Sequence, residues 1–402
     1  MKSPSLVSKT SLSTTHNLTS ALLRRGVLRQ LSQLKSGHLV ITENGERLIF
    51  GDSGAGLVGE VQIHDTSVWG MIASNGSIGA GEAFIHGYWS SPDLTKVIRV
   101  LVSNMDVLDA MEGGLARLGR PLIRGLHWIN RNTRKGSQKN IAAHYDLGND
   151  LFEQFLDPTM MYSAAQFLTD EDSLEQAQLN KLQRICQKLA LKPTDHLLEI
   201  GTGWGSMALY AASHYGCRVT TTTLSRQQYE YTRQRIAEQG LEDRVTLLLE
   251  DYRDLRGQYD KLVSIEMIEA VGERFWPTYF AQLSARLKPS GRCVVQSITV
   301  ADALFARYRR GTDFIQRHIF PGGMLPSPGA VELRARQAGF EVVGDFAFGK
   351  DYARTLAHWH ERFEAQWPAV KAQGFDERFR RTWRFYLSYC EAGFVSGDID
   401  VH

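Results

Sequence analysis

The loop 201–205 (GTGWG) carries three glycines and joins an apolar run, residues 196–200, to an apolar helical stretch, residues 206–215. This order is typical of a buried strand that turns sharply into a helix. Glycines let the backbone approach a ligand closely, and amide groups at the start of a helix can bind a carboxylate. The alternative is a loop whose glycines only permit tight packing. Polar residues that end later strands favour the ligand site, since we expect them to converge on this loop: Thr223, Ser225, Asp251 and Glu269.

The spacing of the glycines separates two classes of nucleotide site. Dinucleotide-binding proteins carry GxGxxG, and an acidic residue about twenty positions later binds the ribose. Here Gly205 comes one position too early, and Thr221, Thr222 and Thr223 stand where the acid is expected. These residues fit a methyltransferase better than a dehydrogenase.

Alternating strands and helices are predicted to position this loop. Within residues 141–402, the predicted strands are 196–200, 218–223, 244–249, 261–267 and 292–298, and helical stretches separate most of them. We therefore predict an α/β fold with a mostly parallel, doubly wound sheet. Ligands of such sheets bind at the carboxyl ends of the strands, near the point where the strand order reverses.

A smaller α+β domain is predicted in front of this sheet, over residues 20–112. Its strand-like runs are 38–42, 46–50 and 59–63, and a helical stretch covers 91–110. Residues 1–19 are rich in Ser and Thr and lack the apolar core of a secretory signal. They are predicted to form a disordered tail.

The segment between the two domains, residues 113–140, combines positive charge with apolar side chains. No acidic residue occurs between Glu112 and Asp146, and arginines and lysines are interleaved with Leu, Ile and Trp. Such a segment can insert apolar groups into a lipid interface while its cations contact anionic headgroups, each contributing about 1 kcal/mol. The alternative is a solvated linker, because glycines and Pro121 interrupt any long helix.

Charge, cysteines and hydropathy exclude several classes of protein. The 46 Lys and Arg against 44 Asp and Glu give a net charge of +2, which indicates no nucleic-acid partner. The four cysteines show no CxxC spacing, so neither a disulfide framework nor a metal site is predicted. No apolar stretch reaches the roughly 18 to 20 residues that cross a bilayer. We expect a cytoplasmic protein that lies at most on a membrane surface.

Four further motifs carry a resemblance to a known family. They are residues 76–89 (GSIGAGEAFIHGYW) in the front domain, then 144–152 (HYDLGNDLF), 156–158 (LDP) and 161–163 (MYS). With the glycine loop, they resemble cyclopropane fatty acyl phospholipid synthases and the related mycolic acid cyclopropane synthases. The resemblance covers most of the chain, although the mycolic acid enzymes lack the front domain.

The resemblance implies a Rossmann-like class I methyltransferase domain that uses S-adenosylmethionine. It also implies which residues line the cofactor pocket: Tyr162, Ser163, Glu199, Gly201, Gly203, Gly205, Thr223, Leu224, Gln228, Asp251 and Tyr252. The alternative for the two tyrosines is that they are ordinary buried aromatics of the core.

The same resemblance implies chemistry at a carbon–carbon double bond. An alkene can attack a sulfonium methyl group when water is excluded and the two are held in line about 3 Å apart. To close a cyclopropane ring, a base must then remove a proton from the methylated carbocation, and members of the family use a bound bicarbonate. Glu269 and Tyr352 match two of the residues that hold it. Ala164 and Gln296 replace the other two, a cysteine and a histidine.

These departures leave the product open. Gln296 can donate a hydrogen bond to an anion, but it cannot be protonated. Glu266 and Ala270 replace a typical glycine and histidine. A second carboxylate beside Glu269 either repels bicarbonate or leaves one of the two carboxyl groups protonated at neutral pH. The reaction therefore ends in a cyclopropane or in a methyl-branched alkene.

Three more expectations come from the resemblance. Cys390 falls where the family carries a cysteine considered for catalysis, although its aromatic helix, residues 383–394, favours plain packing. The apolar segment 314–326 is expected to line a tunnel for the acyl chain, with a core loop as the alternative. This sequence stops at residues 398–402, where relatives continue into a last strand. The sheet is therefore expected to lack that strand.

The predicted substrate is the unsaturated acyl chain of a phospholipid, reached by peripheral association with the inner face of the cytoplasmic membrane. A homodimer is implied by the resemblance alone. Two other classes stay open. A small-molecule methyltransferase does not need the motif 76–89, and a lipid-binding protein without catalysis does not need the glycine loop.

Overall fold

The structure, a computed structural model, describes residues 10–113 and 147–402 of the chain. The described residues form two compact units. The first contains residues 10–113 and Glu377–Ala392, and the second contains residues 147–376 and Gly393–His402. The sequence analysis assigned residues 377–392 to the rear domain instead. Nearly all of the predicted basic linker lies outside the described residues. Among the residues that the structure describes, no helix is long and apolar enough to span a bilayer.

A four-stranded sheet with the order β2-β1-β3-β4 organises the first unit. Its strands are β1 His38–Glu43, β2 Glu46–Gly51, β3 Val58–Ile63 and β4 Trp89–Ser90. The helices of this unit include Thr10–Leu31, Ser67–Ile85, Leu94–Val102, Met105–Gly113 and most of Glu377–Ser396. β1 pairs antiparallel with β2 and parallel with β3. The buried carboxylate of Glu43 accepts hydrogen bonds from Trp69 Nε1 at 2.8 Å and from Arg24 Nε at 2.6 Å. It thereby joins the sheet to two of the helices.

Two helical predictions in this unit differ from the structure. The predicted helix 91–110 is two helices, because Asn104 between them bonds to the backbone of another segment. Its side chain accepts from Lys35 N at 2.7 Å and donates to Ser36 O at 2.8 Å. The first helix begins at Thr10, inside the predicted disordered tail. Residues 10–19 contain no glycine or proline that would end that helix.

Five parallel strands form the main sheet of the second unit, in the order β7-β6-β5-β8-β9. They are β5 His196–Ile200, β6 Arg218–Thr222, β7 Val245–Leu248, β8 Tyr259–Ile265 and β9 Leu287–Gln296, and helices such as Ser206–Tyr215, Arg226–Glu238 and Trp276–Arg286 connect them. The predicted α/β fold is confirmed. Because β5 lies between β6 and β8, the strand order reverses beside it, where doubly wound folds place their ligands.

Alternate side chains of β5 enter two separate cores. Leu197 packs in a cluster with Met207 of the Ser206–Tyr215 helix, and Leu198 packs in another cluster with Trp276. Both leucines are fully buried. Successive side chains of a strand point to opposite faces, so an apolar run such as 196–200 marks a strand covered on both sides. Each buried leucine stabilises the fold by about 2 kcal/mol.

The last residues of the sequence also form a strand. β11, Ile399–Val401, pairs antiparallel with β10, Ile298–Val300. Ser297 and His402 extend the ladder with two backbone hydrogen bonds of 2.9 Å. The last residues thus form a strand, but it belongs to a separate two-stranded sheet and does not extend the five-stranded sheet.

Candidate active site

The glycine loop follows β5 in backbone conformations that residues with a side chain rarely adopt. Gly201, Gly203 and Gly205 have φ angles of +102°, +53° and +91°. A Cβ atom on Gly205 would lie 2.7 Å from Cγ2 of Thr232, whereas one on Gly203 would meet no atom within 4 Å. The loop is thus tightly packed at Gly205 and open at Gly203, which is where a ligand can approach the backbone.

Glu199, the residue before Ile200 at the end of β5, supports this loop. Its carboxylate is buried, and Oε2 accepts a hydrogen bond of 2.7 Å from the hydroxyl of Thr221. The hydroxyl groups of Thr221 and Thr202 lie 2.6 Å apart and continue the network into the loop. Burial raises the pKa of Glu199 to about 8.

The turn after β6 is fixed by Thr223 and Gln228, two of the predicted cofactor residues. The Thr223 hydroxyl donates to Oε1 of Gln228 at 2.9 Å and accepts from the backbone of Ser225 at 3.1 Å. Ser225 caps the Arg226–Glu238 helix through its side chain. Thr223 and Gln228 are buried and Leu224 is half-buried. These contacts hold the turn at the same end of the sheet as the glycine loop.

Asp251 and Tyr252 follow β7. The Asp251 carboxylate accepts hydrogen bonds from Nε and Nη2 of Arg253 at 2.8 and 2.6 Å. Tyr252 is buried, and burial raises its pKa to about 12, so the phenol is neutral at physiological pH. A ligand that binds the Asp251 carboxylate would do so alongside the guanidinium group of Arg253.

Tyr162 lies among other aromatic rings. Its ring centroid is 5.1 Å from that of Trp359, 5.3 Å from that of Phe152 and 6.3 Å from that of Phe155. The centroid of Tyr352 is 6.1 Å from that of Trp359. Aromatic faces attract a cation within about 6 Å, so this cluster can stabilise positive charge on a ligand.

Four donors converge on the carboxylate of Glu266, directly after β8. Oε1 accepts from Ser163 Oγ at 2.7 Å, from the backbone of Ala164 at 2.9 Å and from Gln296 Nε2 at 2.7 Å. Oε2 accepts from the Tyr352 hydroxyl at 2.8 Å. Glu266 itself has a φ of +48°. This conformation costs about 1 to 3 kcal/mol in a residue with a side chain.

A buried lysine stands behind this group. Lys181, in the Leu174–Leu189 helix, is 1% exposed and donates to Ser163 Oγ at 3.1 Å. Burial lowers its pKa to about 8, although the charges of Glu266 and other carboxylates act in the opposite direction. The sequence analysis missed Lys181. Its position among the buried residues of an amphipathic helix was the available signal.

Glu269 lies one turn after Glu266. Its Oε1 accepts from Ser297 Oγ at 3.1 Å and from the backbone of Ile298. Its Oε2 is buried and has no hydrogen-bond partner among the described residues. Burial, and then the negative charge of Glu266, raise the pKa of Glu269 to about 8. Glu269 therefore keeps its proton at neutral pH.

The predicted tunnel segment, 314–326, contacts this turn. The backbone of Met324 donates to Glu269 O at 2.8 Å, and Gln316 Nε2 donates to Gly323 O at 3.0 Å. Phe314 is buried. The segment thus contacts the backbone of Glu269, but its role as a tunnel stays a prediction.

Comparison with known proteins assigns this arrangement to a family. The family described as mycolic acid cyclopropane synthetase matches residues 132–402. This match covers more than half of the chain. The chain belongs to the mycolic acid cyclopropane synthetase family.

Relatives within and around this family carry different names. The chain is 41% identical to the tuberculostearic acid methyltransferase UfaA1 of Mycobacterium tuberculosis, over 82% of this chain and 79% of the relative. It is 36% identical to the cyclopropane-fatty-acyl-phospholipid synthase of Escherichia coli K12, over 85% and 86%. The solved structure of mycolic acid cyclopropane synthase CmaA1 with SAH and CTAB matches with a TM-score of 0.62 and 32% identity, covering 66% of this chain and 95% of that one.

Membership of the mycolic acid cyclopropane synthetase family makes the protein an S-adenosylmethionine-dependent methyltransferase. The residues present fit this cofactor, because the loop after β5 is open to a ligand at Gly203. Amides at the start of the Ser206–Tyr215 helix would hold its carboxylate, and Asp251 and Gln228 would hold its nucleoside. These individual contacts stay predictions.

The structure brings together most of the predicted catalytic residues of this synthetase-family chain. Gln296 and Tyr352 meet at Glu266, and Glu269 lies one turn away. Cys390 lies in the first compact unit and is half-buried. From the sequence, Glu266 was considered only as a second carboxyl group that either repels bicarbonate or leaves one of the pair protonated. Its contacts with the other predicted residues were not foreseen.

Proposed function

We propose that the protein transfers a methyl group from S-adenosylmethionine to the cis double bond of an unsaturated phospholipid acyl chain and releases a methyl-branched, still unsaturated chain. When bound, the cofactor would supply an electrophilic methyl group to the double bond: a C–C bond would form, the S–CH3 bond would break to release S-adenosylhomocysteine, and the chain would keep a cationic carbon. The cation then loses a proton without forming a ring.

One observation carries this proposal. Ala164, Gln296 and Tyr352 stand at positions that the family resemblance assigns to holding bicarbonate, and all three donate to the carboxylate of Glu266. A second anion at the same donors would meet the charge of Glu266 at close range, and like charges in such a site repel strongly. Ring closure with bicarbonate is therefore disfavoured. The 41% identity to a protein named tuberculostearic acid methyltransferase supports the same reaction.

The surroundings of the carboxylate suit a cationic, lipid-derived intermediate. The ring of Trp359 lies within about 6 Å of the rings of both Tyr162 and Tyr352. Such rings attract positive charge and exclude water, which would otherwise capture the cation. We propose that the acyl chain enters beside the segment 314–326.

The second candidate function is cyclopropane formation on the same substrate. The 36% identity to a protein named cyclopropane-fatty-acyl-phospholipid synthase favours it, as does the presence of Glu269 and Tyr352. Both candidates imply contact with lipid. We propose peripheral association with the inner face of the cytoplasmic membrane, through the basic apolar segment 113–140.

The test is incubation of the full chain with S-adenosylmethionine and liposomes that contain a cis-monounsaturated phospholipid, in buffer with and without bicarbonate. Gas chromatography with mass spectrometry of the acyl chains would show a gain of one methylene unit. We expect this gain in both buffers. Transfer to added small amines in place of the lipid would contradict the proposed substrate, and strict dependence on bicarbonate would favour the cyclopropane.

A further inference from the structure

Hydrogen-bond donors surround the carboxylate of Glu266. It accepts hydrogen bonds from three separate segments of the second unit, which carry Ser163 with Ala164, Gln296 and Tyr352. Several donors from different segments fix the position and orientation of a carboxylate. Glu266 is half-buried and lies at the carboxyl end of β8, so a ligand at this edge of the sheet can reach it.

The backbone of Glu266 provides a second, independent observation. Its φ of +48° lies in the left-handed region, which a glycine adopts without strain. A glutamate at this position is therefore unfavourable for the backbone. Strained residues of this kind persist where the side chain has a function, so the position of the carboxylate accounts for the residue.

The neighbouring carboxyl group of Glu269 has different surroundings from that of Glu266. The pKa of Glu269 is raised to about 8 by burial and by the charge of Glu266. Glu269 thus holds a proton, whereas Glu266 presents its two carboxylate oxygens to four hydrogen-bond donors. Two carboxyl groups whose environments separate their protonation states are a common arrangement for acid and base.

We infer that Glu266 is the catalytic base, and that its carboxylate takes the proton from the methylated acyl cation in place of a bound anion. This inference rests on the proposed function. A C–H bond on a carbon next to the cationic carbon breaks, and its electron pair becomes the new double bond. The proton binds Oε2 of Glu266, and no oxidant or further reactant is needed. Gln296 and Tyr352 are positioning residues that orient the carboxylate.

Two variants of Glu266 test the inference by chemical rescue. Glu266→Gly removes the carboxylate, suits the backbone conformation and leaves a space that formate can enter. Glu266→Gln fills the same space with an amide that cannot act as a base. We expect both to form product about 100-fold more slowly than the wild type, as is typical when a general base is lost. Added sodium formate is expected to restore at least about a tenth of the lost activity to Glu266→Gly and none to Glu266→Gln.

Binding of S-adenosylmethionine and the melting temperature, measured on the same samples, show whether the variants are intact. The exposed Glu332→Gln serves as a matched control with wild-type turnover. Wild-type turnover in either Glu266 variant, or a slow Glu266→Gly variant that formate does not accelerate, would overturn the inference. A ring as the wild-type product would overturn the proposed function alone, since ring closure also removes a proton and the rescue still tests Glu266.

Discussion

Tyr352 and Glu266 are 86 positions apart in the sequence, and the Tyr352 hydroxyl donates a hydrogen bond of 2.8 Å to Oε2 of Glu266. Tyr352 belongs to the Gly349–Ala365 helix, whereas Glu266 follows a strand of the sheet. The bond therefore connects the helix that supplies aromatic rings to the carboxylate that we assign as the base.

The first prediction concerns this bond. Tyr352→Phe keeps the ring but leaves Oε2 without its hydroxyl donor. A hydrogen bond to a charged group contributes about 1.5 to 3 kcal/mol, so we expect turnover to fall by about 10-fold to 100-fold. Binding of S-adenosylmethionine, measured by calorimetry, should be unchanged. Tyr210→Phe, on the Ser206–Tyr215 helix, is the control, and an equal loss in both variants would contradict the assignment.

Lys181 gives the second prediction. Its burial disfavours the ammonium group, so Lys181→Met should not lower the melting temperature. We expect turnover to fall by about tenfold, because Ser163 and Glu266 lose their nearby positive charge. Lys188→Met is a matched control, since Lys188 is exposed on the same helix. Unfolding of Lys181→Met would show that the lysine is structural, and full activity would remove it from the site.

A pair of glycines tests where the cofactor binds. Gly203 and Gly240 have φ angles of +53° and +62°, and a Cβ atom on either would meet no atom within 4 Å. Gly203→Ala and Gly240→Ala should therefore each cost about 1 kcal/mol of stability. Only Gly203→Ala should weaken S-adenosylmethionine binding, by at least about tenfold, or about 1.4 kcal/mol. Equal affinity in the two variants would mean that the loop 201–205 does not contact the cofactor.

The raised pKa of Glu269 predicts a pH dependence of stability. The folded-state pKa of about 8 exceeds the value of about 4.3 in an unfolded chain. The stability contributed by this group is thus fully present below about pH 4.3 and is lost as the pH rises towards 8. Glu269→Gln cannot titrate. The melting temperature of Glu269→Gln, relative to that of the wild type, should therefore rise as the pH increases from about 5 to about 8.

The exposed Glu332→Gln supplies the comparison for this experiment, because its difference from the wild type should stay constant over the same range. A melting-temperature difference between Glu269→Gln and the wild type that does not change with pH would mean that Glu269 is ionised throughout. The assignment of the proton to Glu269 would then be wrong.

The local hydrophobic pattern of the sequence predicts much of the fold, but it does not predict where each strand ends. Runs of apolar and β-branched residues predicted all five parallel strands, although β9 begins at Leu287 and not at the predicted residue 292. The predicted strand 261–267 ends at Ile265 in the structure. Glu266 leaves the strand with a positive φ, which hydrophobic pattern does not report.

The candidate site could be predicted only in part for a related reason. The family resemblance pointed to Glu269, Gln296 and Tyr352, one residue at a time. The convergence of Ser163, Gln296 and Tyr352 on Glu266 depends on how distant segments pack, and no spacing in the sequence encodes it. The burial of Lys181 was missed because lysines on helices are usually solvated.

The most direct test of the proposed reaction is hydrogenation of the methylated acyl chain that the wild-type enzyme makes from a cis-monounsaturated phospholipid. Mass spectrometry before and after mild catalytic hydrogenation reports whether a double bond remains. We predict uptake of one molecule of hydrogen, to give a saturated chain with a methyl branch. A product that resists hydrogenation would be a cyclopropane, and would contradict the proposed methyl-branched, unsaturated product.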